Sequence, residues 1–117
     1  MNYMILIYQD AAQAAMPPDP ASPVTAPWIA YSKALREAGV MVGGNRLAPH
    51  PAATTVRVRD GKRQVQDGPF ADTKEQLGGY YLINVPNLDN ALEWAARAPC
   101  AATGGVEVRP VSPRTAS

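Results

Sequence analysis

Asp67-Gly68-Pro69-Phe70-Ala71-Asp72-Thr73-Lys74-Glu75-Gln76-Leu77-Gly78-Gly79-Tyr80-Tyr81-Leu82 is the most distinctive stretch of the chain. Its opening Asp67-Gly68-Pro69 reads as a turn, in which Gly68 supplies conformational freedom and Pro69 fixes φ. Asp72-Thr73-Lys74-Glu75 fits a capping box, with Asp72 accepting from the third backbone N–H and Glu75 reaching back. A short helical turn ending at Gly78-Gly79 is therefore expected. From these glycines the chain should enter a buried strand over residues 78–85, carrying Tyr80, Tyr81, Leu82, Ile83 and Val85.

On the N-terminal side, residues 3–8 mix β-branched, aromatic and long apolar side chains without polar alternation, as a strand inside a sheet does. Residues 9–24 contain Pro17, Pro18, Pro20 and Pro23, which fix φ and remove donors. A loop is expected there, with room for one helical turn at 11–15. Thr25 is placed to cap a helix running to Ala38, with Pro27 in its first turn. Trp28, Tyr31, Leu35 and Ala38 form its apolar stripe, and Gly39 ends it.

A second strand follows from Val40 towards Leu47, and Pro49-His50-Pro51 makes a stiff corner. Residues 54–60 alternate Val56 and Val58 against Arg57 and Arg59. Asp60-Gly61 is a type I′ turn signal, and residues 62–66 should return antiparallel. Asn87 caps a second helix with Leu88, Ala91, Leu92 and Ala95 inward, stopped by Pro99. Val106-Glu107-Val108-Arg109 alternates as the last strand, and residues 110–117 carry no pattern. A single domain over 1–112 with a disordered tail at 113–117 is expected.

Strand, helix, strand, hairpin, strand, helix, strand is a ferredoxin-like βαββαβ order with an inserted β-hairpin, an α+β fold with both helices on one face of the sheet. Strands apolar on both sides need cover on the other face as well. That predicts a homodimer closing a dimeric α+β barrel.

The 117 residues suffice for one domain. Hydrophobic residues make up 46%, which excludes a chain too polar to fold. Eleven Lys and Arg against ten Asp and Glu leave a formal charge of +1, so no long-range field steers the chain to nucleic acid or to an anionic membrane. The apolar run at 3–8 is too short to span a bilayer and lacks the flanks of a signal peptide. A lone Cys100 permits no intrachain disulfide, and a reducing, cytoplasmic location fits best.

The opening stretch resembles the signature of the YCII-related superfamily, in particular the group named after the string DGPFAETKE. It stands here as Asp67 through Glu75, with Asp72 in place of Glu. The similarity continues through residues 3–8, 35–40, 55–61, 92–96 and 106–110. The resemblance implies a dimeric α+β barrel with a cleft between sheet and helices, and a cleft implies a small-molecule ligand. Some YCII-related proteins are similar to lyases or dehalogenases with a His–Asp pair, the His lying near the start of the first helix. Ala26-Pro27-Trp28 stands there in this chain, so the pair is not carried over. DGPF members often neighbour genes for extracytoplasmic-function sigma factors, which implies a non-catalytic accessory role as the alternative.

Three sets of residues are candidates for chemistry. Asp67, Lys74 and Glu75 place carboxylates and an ammonium near one segment, where they could exchange protons; the same residues could simply serve turn and cap. His50 between two prolines is a rigidly held proton carrier or a surface imidazole. Tyr8, Asp10, Trp28 and Tyr31, with Phe70, could wall a ligand pocket, or serve as core and dimer contacts. The cations Arg57, Arg59, Lys62 and Arg63 crown the hairpin, and a solvated strand face is the preferred reading over nucleic-acid contact. One His and one Cys offer no metal-ligand spacing, and no cofactor fingerprint is present, so neither metal nor cofactor is expected.

Overall fold

The computed structural model describes residues 1–17, 19, 21–71 and 73–113. Strand β1 (Asn2–Asp10) is followed by a single helical turn α1 (Ala11–Ala14) and helix α2 (Ala26–Glu37). Then come β2 (Met41–Arg46), a 3-10 turn at His50–Ala52, β3 (Thr54–Arg59), β4 (Lys62–Asp67) and β5 (Glu75–Asn84). Helix α3 (Leu88–Ala96) and β6 (Gly105–Pro110) complete the chain. Four strands form an antiparallel sheet in the order β2-β5-β1-β6, consistent with a ferredoxin-like α+β fold. β3 and β4 pair as a separate ribbon, with Asp60 and Gly61 at φ 53° and 72° in the tight turn between them.

Alternation along β1 sends Tyr3, Ile5 and Ile7 to the helix-covered face, where they meet Ile83 of β5, Tyr31 and Leu35 of α2 and Ala91 of α3. Ile5, Leu35 and Ile83 are fully enclosed. Tyr31 donates its hydroxyl to the Trp94 carbonyl at 2.7 Å and packs edge-on against Tyr81 at 5.3 Å, which ties α2 to both α3 and the sheet. Burial pushes the Tyr31 hydroxyl well above its ordinary 10.0, so it stays a donor. α2 ends in a Schellman motif: Gly39 at φ 73° lets its own N–H reach Arg36 and the Val40 N–H reach Leu35.

The structure corrects several local expectations. Thr25 makes no side-chain cap, because turn hydrogen bonds from Thr25 and Ala26 to the Ser22 carbonyl already hold its backbone in the helical region. Ala38 is exposed, so the buried stripe of α2 stops at Leu35. On α3, Ala91 and Ala95 face the core while Leu88 and Leu92 stand exposed, since only the small residues permit close approach to the sheet. The expected helical turn before Gly78-Gly79 is absent; β5 already begins at Glu75 and both glycines lie within it. Asp72, the other end of the expected capping box, and the tail beyond 113 lie outside the described residues. Asn87 does cap α3, its side chain accepting from the Asn90 N–H at 3.0 Å. Among the described residues no helix is long and apolar enough to cross a membrane.

Candidate functional site

At one end of the sheet the helix-covered face is not filled. Cross-strand partners share a face, so Ile7, Gly79 and Arg46 lie side by side there, as do Tyr81 and Gly44. Two of those positions have no side chain, and the space above them is a cleft of about 370 Å³. Its far wall is the α2 row Trp28, Ser32 and Arg36, spaced four apart and so aligned along one flank. Gln13, Met16, Pro17, Val24 and Thr25 close its end.

Glycine is required in this floor. A Cβ on Gly79 would stand 2.9 Å from the Asn45 carbonyl oxygen, and one on Gly44 would stand 2.8 Å from the Tyr80 carbonyl oxygen and 3.0 Å from the Tyr81 ring. Gly78 is the unpaired residue of a β-bulge, for Ile7 pairs with Gly79 and Tyr8 with Leu77. A Cβ there would meet the Gln9 amide oxygen at 2.7 Å, the movable end of a side chain.

Polar groups converge on this space. Ser32 Oγ and the Tyr81 hydroxyl share a hydrogen bond of 2.7 Å. The Arg46 guanidinium donates through Nη2 to the carbonyls of Ala14, at 3.5 Å, and Met16, and so straps the end of α1 and the following loop to β2. Trp28 packs edge-on against Tyr31 at 6.1 Å, which fixes the aromatic wall.

Of the residues singled out in the sequence, Trp28 lines the cleft. Tyr31 is buried in the core behind it. Asp10 caps α1, accepting from the Gln13 N–H at 2.8 Å, and is paired across the sheet with the exposed Glu75. Lys74 and Asp67 are exposed, His50 is half-buried in the 3-10 turn, and Phe70 is 74% exposed beneath the Arg57 guanidinium at 4.5 Å. Cys100 is buried, and burial raises its thiol pKa, which makes it a poor nucleophile. No group of three or more His, Cys, Asp or Glu among the described residues could hold a metal ion.

The sequence matches that of a named family. The family model for the YCII-related domain matches residues 1–115. The chain belongs to the YCII-related family. It is also 40% identical over 115 residues to an uncharacterized protein of Rhizobium meliloti (strain 1021), covering 96% of this chain and 93% of that one.

On the face opposite the cleft, this YCII-related domain carries a polar chain. The Tyr8 hydroxyl donates to Glu107 at 3.1 Å, and Glu107 is in turn bonded by the Arg109 guanidinium. The Arg109 hydrogen bond, followed by that of Tyr8, holds the Glu107 carboxyl below its ordinary 4.5 despite some desolvation. A carboxyl whose pKa is lower in the folded state stabilises the fold above the unfolded value, and that support is lost as pH falls through the folded value. Glu107→Gln is therefore expected to flatten the dependence of Tm on pH below pH 4.5 while changing it little at neutrality, since the pair is exposed. Parallel acid-side profiles for both proteins would refute the assignment.

Proposed function

We propose that this YCII-related domain, of the DGPF group by its 67–75 string, is a homodimer that binds or transforms a small polar molecule in the cleft between sheet and helices. The cleft carries the reading: about 370 Å³ lies within the range of small-molecule sites, with an aromatic wall and a few convergent polar groups. The chemistry rests on those groups, with Trp28 as the wall against which an apolar part of the ligand packs.

The dimer rests on surface. A compact monomer of 12.5 kDa should expose about 6,200 Å². This protomer exposes 7902 Å², an excess comparable to what one partner buries in a large homodimer interface, roughly 1,000–2,500 Å². Its radius of gyration of 16.1 Å exceeds the roughly 13 Å of a compact chain this long. The excess is apolar where it matters: Met4, Leu6 and Leu82 lie on the uncovered sheet face, and Val56, Val58 and Val65 share one exposed face of the ribbon.

Light scattering at micromolar concentration is expected to give twice the 12.5 kDa protomer mass. A single-copy particle overturns the dimer. Crystals soaked in a metabolite mixture are expected to show density above Gly79, and a cleft that stays empty in every soak counts against the ligand. A single-copy particle that retains an extracytoplasmic-function sigma factor would instead favour the accessory role.

A further inference from the structure

The charges around the cleft name the class of its ligand. Arg36 lines it from α2 and Arg46 from β2, and no Asp or Glu among the described residues lines it. The other polar groups that face it, Gln9, Gln13, Thr25, Ser32 and the Tyr81 hydroxyl, are neutral. In a chain whose charges nearly cancel, two cations without a carboxylate around one concavity is a local imbalance.

Neither cation is consumed by the protein. The Arg36 side chain makes no hydrogen bond or ion pair with a described residue. Arg46 spends Nη2 on the Ala14 and Met16 carbonyls, which anchors the guanidinium while Nε and Nη1 keep their donors. Trp28, Met41 and Ile7 supply apolar surface to the same space. We infer that the cleft takes a small organic anion, a carboxylate on an apolar or aromatic body, with Arg36 and Arg46 supplying the positive charge that selects it and the body against Trp28. The inference rests on the proposal that the cleft is a ligand site, and adds to it the charge of the ligand and the two residues that select it. A guanidinium suits this task because its planar fork matches a carboxylate edge.

The test titrates the ¹⁵N-labelled full chain with 4-phenylbutyrate, 4-phenylbutyramide and 4-phenylbutylamine, which share one body and differ in head charge. Amide shifts of Gly44, Gly78 and Gly79 report occupancy of the floor. The carboxylate is expected to bind tighter than the amide by on the order of tenfold, with the amine weakest. In Arg36→Gln/Arg46→Gln the ratio of carboxylate to amide affinity should shrink to below about threefold while amide binding persists. Arg36→Gln alone, on the exposed flank of α2, should give an intermediate ratio without disturbing the Arg46 strap. Equal binding of the three probes, or a ratio unchanged in the variants, overturns the anion assignment and leaves the cleft as a ligand site. If no probe shifts these glycines, both fall.

Discussion

Leu35→Ala is expected to lower the free energy of unfolding by about 2–5 kcal/mol, among the largest losses a single truncation should cause here. Leu35 is 0% exposed and sits on α2 within the cluster that includes Tyr31, Ile5 and Ile83. Its removal deletes apolar contacts and leaves a cavity that the β1–β5 ladder, hydrogen-bonded along its length, cannot collapse to fill. A domain of this size has about 5–15 kcal/mol in total, so the variant should approach the edge of folding at 37 °C. Urea denaturation at fixed protein concentration should show a lower midpoint with an unchanged m-value. A loss below about 1 kcal/mol would mean that α2 is not packed as described.

Gly79→Val comes second. The site has no positive φ to penalise valine, so the damage is spatial. The new Cβ begins 2.9 Å from the Asn45 carbonyl oxygen, in backbone that cannot yield, and its methyl groups rise into the cleft floor beside Ile7 and Arg46. Overpacking of this kind costs about 1–3 kcal/mol. Unlike Leu35→Ala, it should also abolish the 4-phenylbutyrate shifts at Gly44 while the fold persists. The neighbouring Gly78→Ala is the control, because its Cβ meets only the movable end of Gln9. If both variants bind equally well, Gly79 does not form the floor.

The order of strands and helices could be read from the sequence because it is written in local periodicity: apolar runs at 3–8 and 78–85, stripes through Tyr31 and Leu35, and the glycine stop at Gly39. Structure departs from local signal where tertiary contact outweighs it. Gly78-Gly79 reads locally as a helix exit because glycine commonly ends helices, yet here it answers the approach of β2 and a bulge opposite β1, neither visible without strand pairing. Leu88 and Leu92 fit an inner stripe, but which flank of a short helix is covered depends on what it leans on.

The cleft was harder still. In sequence, carboxylates and the lone histidine stand out, since those are the groups that move protons. The space is instead made by missing side chains and closed by an arginine whose partner carbonyl at Ala14 lies 32 residues away. Of the residues the sequence offers as candidates for chemistry, only Trp28 lines the cleft. A usable clue was there in Gly43-Gly44-Asn45-Arg46, a strand interior too poor in side chains to fill the face it belongs to.

The β3–β4 ribbon joins no ladder of the four-stranded sheet, and all of Lys62–Asp67 is exposed. A two-stranded ribbon without cover is marginal in water, so in one isolated copy its amides open at little cost and take up deuterium early. β1 lies between β5 and β6 and keeps its protons until the whole molecule opens. In the proposed dimer, with a second copy covering the ribbon, exchange at Val56 and Val65, measured against exchange at Ile5, is expected to slow as protein concentration rises.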